Sequence, residues 1–230
     1  MKQLILIFKT EIYQLLQDKR LLIAISIYLF IFLSSLVMMI FSEVETPLFS
    51  KPSEETNKTI LFFLFCLLSF SFCSLVTADI TAGEKERNTL ESLLMTQCPR
   101  YIIFWGKFLV GLFFSLIPFL IGLPVMFFLS ISYNTAILVF SEIIRFILIL
   151  IPFPFFITNL LIYNGFKAKT IRSAKSAELV IFLVIPFFSI ALNSLVNIFP
   201  IIVYFTIVIS LSYLFTIKTI KYLKSEKVLF

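Results

Sequence analysis

The 230-residue chain has no histidine, five glycines and three cysteines, and only 14% of it is charged. Without histidine there is no Ser–His or Cys–His dyad for nucleophilic catalysis and no HExxH zinc site. The cysteines, Cys66, Cys73 and Cys98, form no CxxC pair, so zinc, haem and iron–sulfur chemistry have no ligand set to build on. Cys66 and Cys73 are seven apart, on one face of a helix, and read as packing residues. The aspartates, Asp18 and Asp79, stand at the ends of apolar runs and form no catalytic pair. The glycines are scattered (Gly83, Gly106, Gly111, Gly122, Gly165), and none opens a GxxxxGK[ST] phosphate loop. No catalytic activity, metal or cofactor is therefore expected of this chain. If a nucleotide drives it, another chain must bind that nucleotide.

What is present is apolar. Hydrophobic residues make up 60% of the chain and thirty are Phe, well beyond the apolar share of soluble domains. Charge-free or nearly charge-free runs occupy Leu21 to Phe41, Ile60 to Ala78, Phe108 to Ile131, Ile143 to Tyr163, Leu179 to Phe199 and Ile201 to Ile217. At about 20 residues per crossing, these predict one all-helical, multi-pass membrane domain over 1–230 with six spans. The scarcity of Gly argues against seams of the GxxxG kind.

The net charge of +6 comes from short basic clusters between the runs, the pattern of membrane orientation and not of nucleic-acid binding. Sixteen of the nineteen Lys and Arg residues fall in segments on one side, and only Lys51, Lys58 and Arg145 fall on the other. The positive-inside rule then predicts both termini in the cytoplasm and the Glu-rich loop 42–59 outside. Glu142 and Arg145, three apart near the outer end of the fourth run, are expected to pair. Over 1–20, Leu4, Ile5, Phe8, Ile12, Leu15 and Leu16 share a helical face with Lys2, Lys9, Glu11 and Asp18 elsewhere, which predicts an interfacial helix on the inner leaflet.

The segment between the second and third runs, 79–107, carries the most information. Thr81 and Glu84 have capping-box spacing, Leu90, Leu93 and Leu94 form an i, i+3, i+4 stripe, and Pro99 follows soon after Thr96. A short amphipathic helix is expected, with Leu on one surface and the charges of Glu84, Lys85, Glu86, Arg87 and Glu91 on others. The run EKERNTLESLLMT, preceded by Thr81-Ala82 and followed after a turn by a basic residue and WGKFLVG, resembles the E-[KR]-E-x-G-T-L-E-x-L-L-x-T-P signature of ABC-2 type transporter permeases. Glu84, Glu86 and Arg87 match its charged opening; Thr89, Leu90 and Glu91 its T-L-E core; Leu93, Leu94 and Thr96 its tail. Asn88 stands where the signature has Gly, and Gln97-Cys98-Pro99 displaces its Pro. The second inner loop, 164–178, resembles the family's basic, small-residue-rich connection.

The resemblance implies a permease subunit of an ATP-binding cassette transporter in a bacterial inner membrane, most simply an exporter. Residues Glu84 to Leu94 would form the coupling helix that meets the ATPase. The implied partners are two copies of an ATP-binding subunit, which would hold ATP and Mg, a second permease copy or paralogue, and the lipid bilayer. Thr158, Asn159, Ser189 and Asn193 are the polar residues within runs that could line a path, although Asn and Ser also hydrogen-bond between neighbouring helices. No charge inside a run marks an ion relay. The rival reading is a non-ATP membrane scaffold or secondary carrier. Its nearest sign is Pro152-Phe153-Pro154, which interrupts one run without a matched counterpart.

Overall fold

A computed structural model describes residues 2–45, 54–95, 98–132, 152–182 and 201–224. Among these residues the chain is all-helical, with no strand. Helix α1 spans Lys2–Gln17 and α2 spans Lys19–Glu45. Asp18 separates them, because its carboxylate accepts the Arg20 N–H at 2.9 Å and so caps the start of α2. Helix α3, Glu54–Ala78, runs without a break into a π-helical segment, Asp79–Gly83, and a last turn α4, Glu84–Glu86. After a tight turn come α5, Thr89–Met95, and the long α6, Arg100–Ser132, which contains Pro118 and Pro124. Helix α7 is Pro152–Lys167, α8 covers 171–182, and α9 is Ile201–Lys224.

Three of these helices are long and apolar enough to cross a membrane: Phe63–Glu86, Arg100–Val125 and Thr206–Leu223. They correspond to the second, third and sixth runs, but the first of them extends eight residues beyond the Ala78 boundary expected from sequence. The Leu21 to Phe41 run lies wholly within α2. The fourth and fifth runs are described only in part, at 152–163 and 179–182, and the Glu142–Arg145 pair lies outside the described residues. Large side chains such as Phe30, Leu120 and Phe128 are 73%, 67% and 70% exposed. Surfaces like these are those of a membrane protein, where lipid is the solvent of the apolar faces.

The core sits around α3, which packs against α6 and α7, while α9 packs on α7 and α1 on α6. Phe65 is its centre, meeting Phe32 of α2 edge-on at 5.2 Å and stacking on Phe119 of α6 at 5.5 Å. Such ring pairs add to the dispersion that holds helices together when lipid cancels the hydrophobic drive between them. Gly122 makes the three-helix contact possible, since a Cβ there would lie 2.7 Å from both the Phe32 and Phe65 rings.

Two loops assigned from sequence are narrower than expected. Residues 79–86 continue α3 and 100–107 belong to α6, so the loop assigned to 79–107 reduces to the turn at 87–88, α5 and the connection after it. The loop assigned to 164–178 reduces to 168–170, between α7 and α8. The α8 start has its own capping signal: Thr170 Oγ1 accepts the Ser173 N–H at 3.2 Å, and Ser173 Oγ accepts the Thr170 N–H at 3.1 Å.

Candidate functional site

The capping box expected at Thr81 and Glu84 does not form, because the preceding helix never ends there. Thr81 is buried in the π segment and its hydroxyl donates to the Thr77 carbonyl. The chain reverses instead at Arg87-Asn88, where the Arg87 and Asn88 N–H groups donate to the carbonyls of Gly83 and Lys85, both at 3.0 Å. Asn88 has φ of 57°, the left-handed conformation that closes helices and that Gly and Asn tolerate best. Helix α5 then begins, with the Thr89 hydroxyl donating to the Glu84 carbonyl at 3.2 Å.

The Leu stripe of α5 faces the chain's own helices. Leu90 is 1% exposed and packs with Phe104 and Phe108 of α6, Ile162 and Phe166 of α7, and Leu223 of α9. Leu93 and Leu94 are half-buried against Ile7 of α1 and Ile102 and Ile103 of α6, beside Leu4 and Cys98. The opposite face presents Thr89, Glu91, Ser92 and Met95, the last 86% exposed. A helix of seven residues has little stability alone, so this packing is what holds it.

Beneath α5 lies a group that sequence reasoning missed. Lys107, in the first third of α6, has no exposed side-chain surface. Its Nζ donates to Glu11 Oε1 of α1 at 2.8 Å, to Glu84 Oε1 of α4 at 2.6 Å, and to the carbonyl of Ile80. Three ammonium protons thus meet three acceptors from three segments, which is the condition for burying such a charge. The third acceptor belongs to the π segment, a kind of local helix widening often found at functional positions. Glu11 is 6% exposed, so it does not lie on a polar face of α1 as expected; it continues the inward stripe of Ile7 and Leu15 at spacings of four. That spacing was the available signal, as was the position of Lys107 among Ile103, Phe104 and Phe108, all buried on α6.

The three residues of α4 each hold a different part of the bundle. Glu84 takes Lys107. Lys85 Nζ donates to the carbonyls of Phe166 and, at 3.3 Å, Ala168, satisfying acceptors at the end of α7, and lies 5.8 Å from the Tyr222 ring of α9. Glu86 Oε2 accepts the Ile171 N–H at 3.2 Å at the start of α8. Arg87 pairs with Asp79 at 2.9 Å, and Arg100 donates to the Leu223 carbonyl at 2.7 Å, joining α6 to the end of α9. Of the residues matched to the charged opening, Glu84 is therefore committed inside the chain. Glu86 and Arg87 are exposed, as are Thr89 and Glu91.

Of the polar residues considered for a path, Thr158 and Asn159 are buried between helices. Asn159 Nδ2 donates to Ser212 Oγ at 2.6 Å, and its Oδ1 accepts from the Thr216 hydroxyl at 3.0 Å, so it joins α7 to α9. Thr158 Oγ1 lies 3.4 Å from Cys73 Sγ of α3. Ser189 and Asn193 fall outside the described residues. Two charged residues that stand immediately before apolar runs are buried between helices, Lys107 and Glu178 of α8, the latter 3% exposed and accepting a hydrogen bond from Ser74 of α3. Burial pushes the Glu178 carboxyl up to about 7, against the opposing pull of the Ser74 hydroxyl and the Lys175 charge.

No family model matches the chain, and no curated protein matches it either.

Proposed function

We propose that the chain is the permease subunit of an ATP-driven transporter of the ABC-2 type, working as an exporter in a bacterial inner membrane. It crosses the membrane six times with both termini in the cytoplasm. A second permease chain completes the pathway, and two ATP-binding subunits supply the energy. The observation that carries this reading is α5: a short helix held rigidly to α6, α7, α9 and α1 by its Leu side, with Thr89, Glu91, Ser92 and Met95 turned outward. A helix that must transmit a push needs such a stiff backing and a free, partly charged front. The left-handed Asn88 supports the match to the signature, since it stands at the position where the signature has Gly.

ATP binding by the partner would drive its subunits together, press on the outward face of α5, and tilt α3 and α6 through the contacts behind it. The test is co-purification of an ATP-binding subunit with the chain and stimulated ATP hydrolysis by the complex. Glu91→Arg with Met95→Ser should detach or uncouple the partner while leaving membrane insertion unchanged. Hydrolysis by the purified chain alone would overturn the reading. For orientation, a cysteine at Ser53 should react from outside intact cells and one at Ser173 only after permeabilisation. The reverse pattern would invert the topology.

A further inference from the structure

Helix α8 packs on α3 and the π segment through small residues. Ala78, Ala82 and Ala174 are fully buried together, and small residues of this kind let helix backbones approach. A Cβ on Gly83 would stand 3.3 Å from the Ile171 side chain. One turn beyond Ala174 this approach carries Glu178 against α3, where it becomes 3% exposed. Farther along, Phe70 of α3 and Phe182 of α8 meet at 5.9 Å and cover the seam. The carboxyl group is therefore shut between an alanine contact and an aromatic one.

Its two oxygens are not equally served. Oε2 accepts the hydrogen bond from the Ser74 hydroxyl, whereas Oε1 is buried and has no hydrogen-bond partner among the described residues. The titratable groups acting on it among the described residues are Lys175, one turn back on α8, and the buried thiol of Cys73 on α3. Lys175 is exposed and forms no ion pair with it within 4.0 Å among the described residues, and a neutral thiol offers no charge. An ionised carboxylate with one bare oxygen in such a place is strongly disfavoured, so the group has to be neutralised. A proton is the one cation that fits a seam closed by alanines.

We propose that Glu178 is a proton-binding site, a neutral carboxylic acid held in the seam between α3 and α8, whose proton is lost to water when the seam opens. The raised affinity described above has the same sign. A carboxyl that holds its proton more tightly in the folded chain favours the closed seam most in acid. That preference falls as pH rises from the ordinary carboxylate range through about 7, and above that it stays at its low level. Movement of α8 against α3 is thus tied to uptake and release of one proton. This holds whether or not an ATP-binding subunit drives the movement.

Two measurements on the full chain in membranes or detergent test it. A hydrophobic carbodiimide, which reacts with protonated carboxyls in apolar surroundings, should modify Glu178 at pH 6 to 7, as read by peptide mass spectrometry. Labelling should fall roughly fifty-fold from pH 7 to pH 9 as the acid form is titrated away. The second is the thermal midpoint from pH 5 to 9 for wild type and Glu178→Gln. The wild type should lose stability relative to the variant as pH rises through 7, since the amide stays neutral throughout. If the two curves run parallel across that range, the proposal is overturned whatever the labelling shows. If they diverge without labelling, the proton site stands and the seam is closed to the reagent.

Discussion

Replacing Lys107 with Met should be among the most damaging single changes in the chain. Met keeps the length and apolar stem of Lys but removes the ammonium, leaving the Glu11 and Glu84 carboxylates and the Ile80 carbonyl without their shared donor. Breaking a buried ion pair from one side costs about 3 to 5 kcal/mol, because the abandoned charge stays buried. For a chain of this size each kcal/mol moves the thermal midpoint by about 2 to 4 °C, so a fall of roughly 10 °C is expected. The chain supplies its own reporter: Cys66 and Cys73 are fully buried, and their reaction with a thiol-specific fluorophore marks unfolding. Cys98, which is partly exposed, should first be changed to Ser to remove background. Docking of α1 can be followed separately, since Leu4 and Cys98 pack on one cluster. In a chain retaining Cys98, a cysteine at position 4 should be bridged by a short bismaleimide in the Lys107 protein and much less in Lys107→Met. The triple change Lys107→Met, Glu11→Gln, Glu84→Gln removes all three charges and should recover most of the loss. A single variant that melts within about 2 °C of wild type would refute the claim that this ammonium holds α1 to α3 and α6.

Three further outcomes follow from the geometry. Asn88→Gly should be neutral or slightly stabilising and Asn88→Val should cost about 1 to 2 kcal/mol, because only the β-branched residue resists a φ of 57°; midpoints by the same thiol assay decide it. Gly165→Ala should disturb the contact of α7 with the π segment, since its Cβ would overlap Thr81 Oγ1, and Thr81→Ala in the same chain should relieve only the hydroxyl's share of the defect, because the Cβ of residue 81 stays 2.9 Å away. Asn159→Leu should cost about 1 kcal/mol by removing the link from α7 to Ser212 and Thr216, read as a lower midpoint in the same assay.

Much of the fold was legible because its cause is local. An apolar run long enough to cross a bilayer has to be helical, and α2, α3, α6 and α9 lie where such runs are. The stripe of Leu90, Leu93 and Leu94 likewise announced α5, and only its target was open. Sequence alone does not say whether an apolar stripe meets a partner or the chain's own helices. Lys107 escaped for a different reason. A Lys at the end of an apolar run satisfies the positive-inside pattern whether it faces water or the interior, and its acid Glu11 is 96 residues away in the chain. The π segment was equally hidden, since DITAG carries no proline and the widening serves a carbonyl that a distant residue uses. Thr81 misled because a capping pattern has meaning only where a helix begins.

Glu84, Lys85 and Glu86 hold α6, α7 and α8 in that order, one residue for each. Successive residues on a helix point about 100° apart, so this assignment depends on count as well as on identity. Deleting or inserting one residue between Asp79 and Glu86 would turn each side chain toward its neighbour's partner. On deletion Lys85 would face the Lys107 ammonium and on insertion the Ile171 N–H, and in either case an acid would face the carbonyls at the end of α7. The length of this segment is therefore constrained as tightly as its residue types, and in diverging copies of the chain gaps are expected on either side of it and not within.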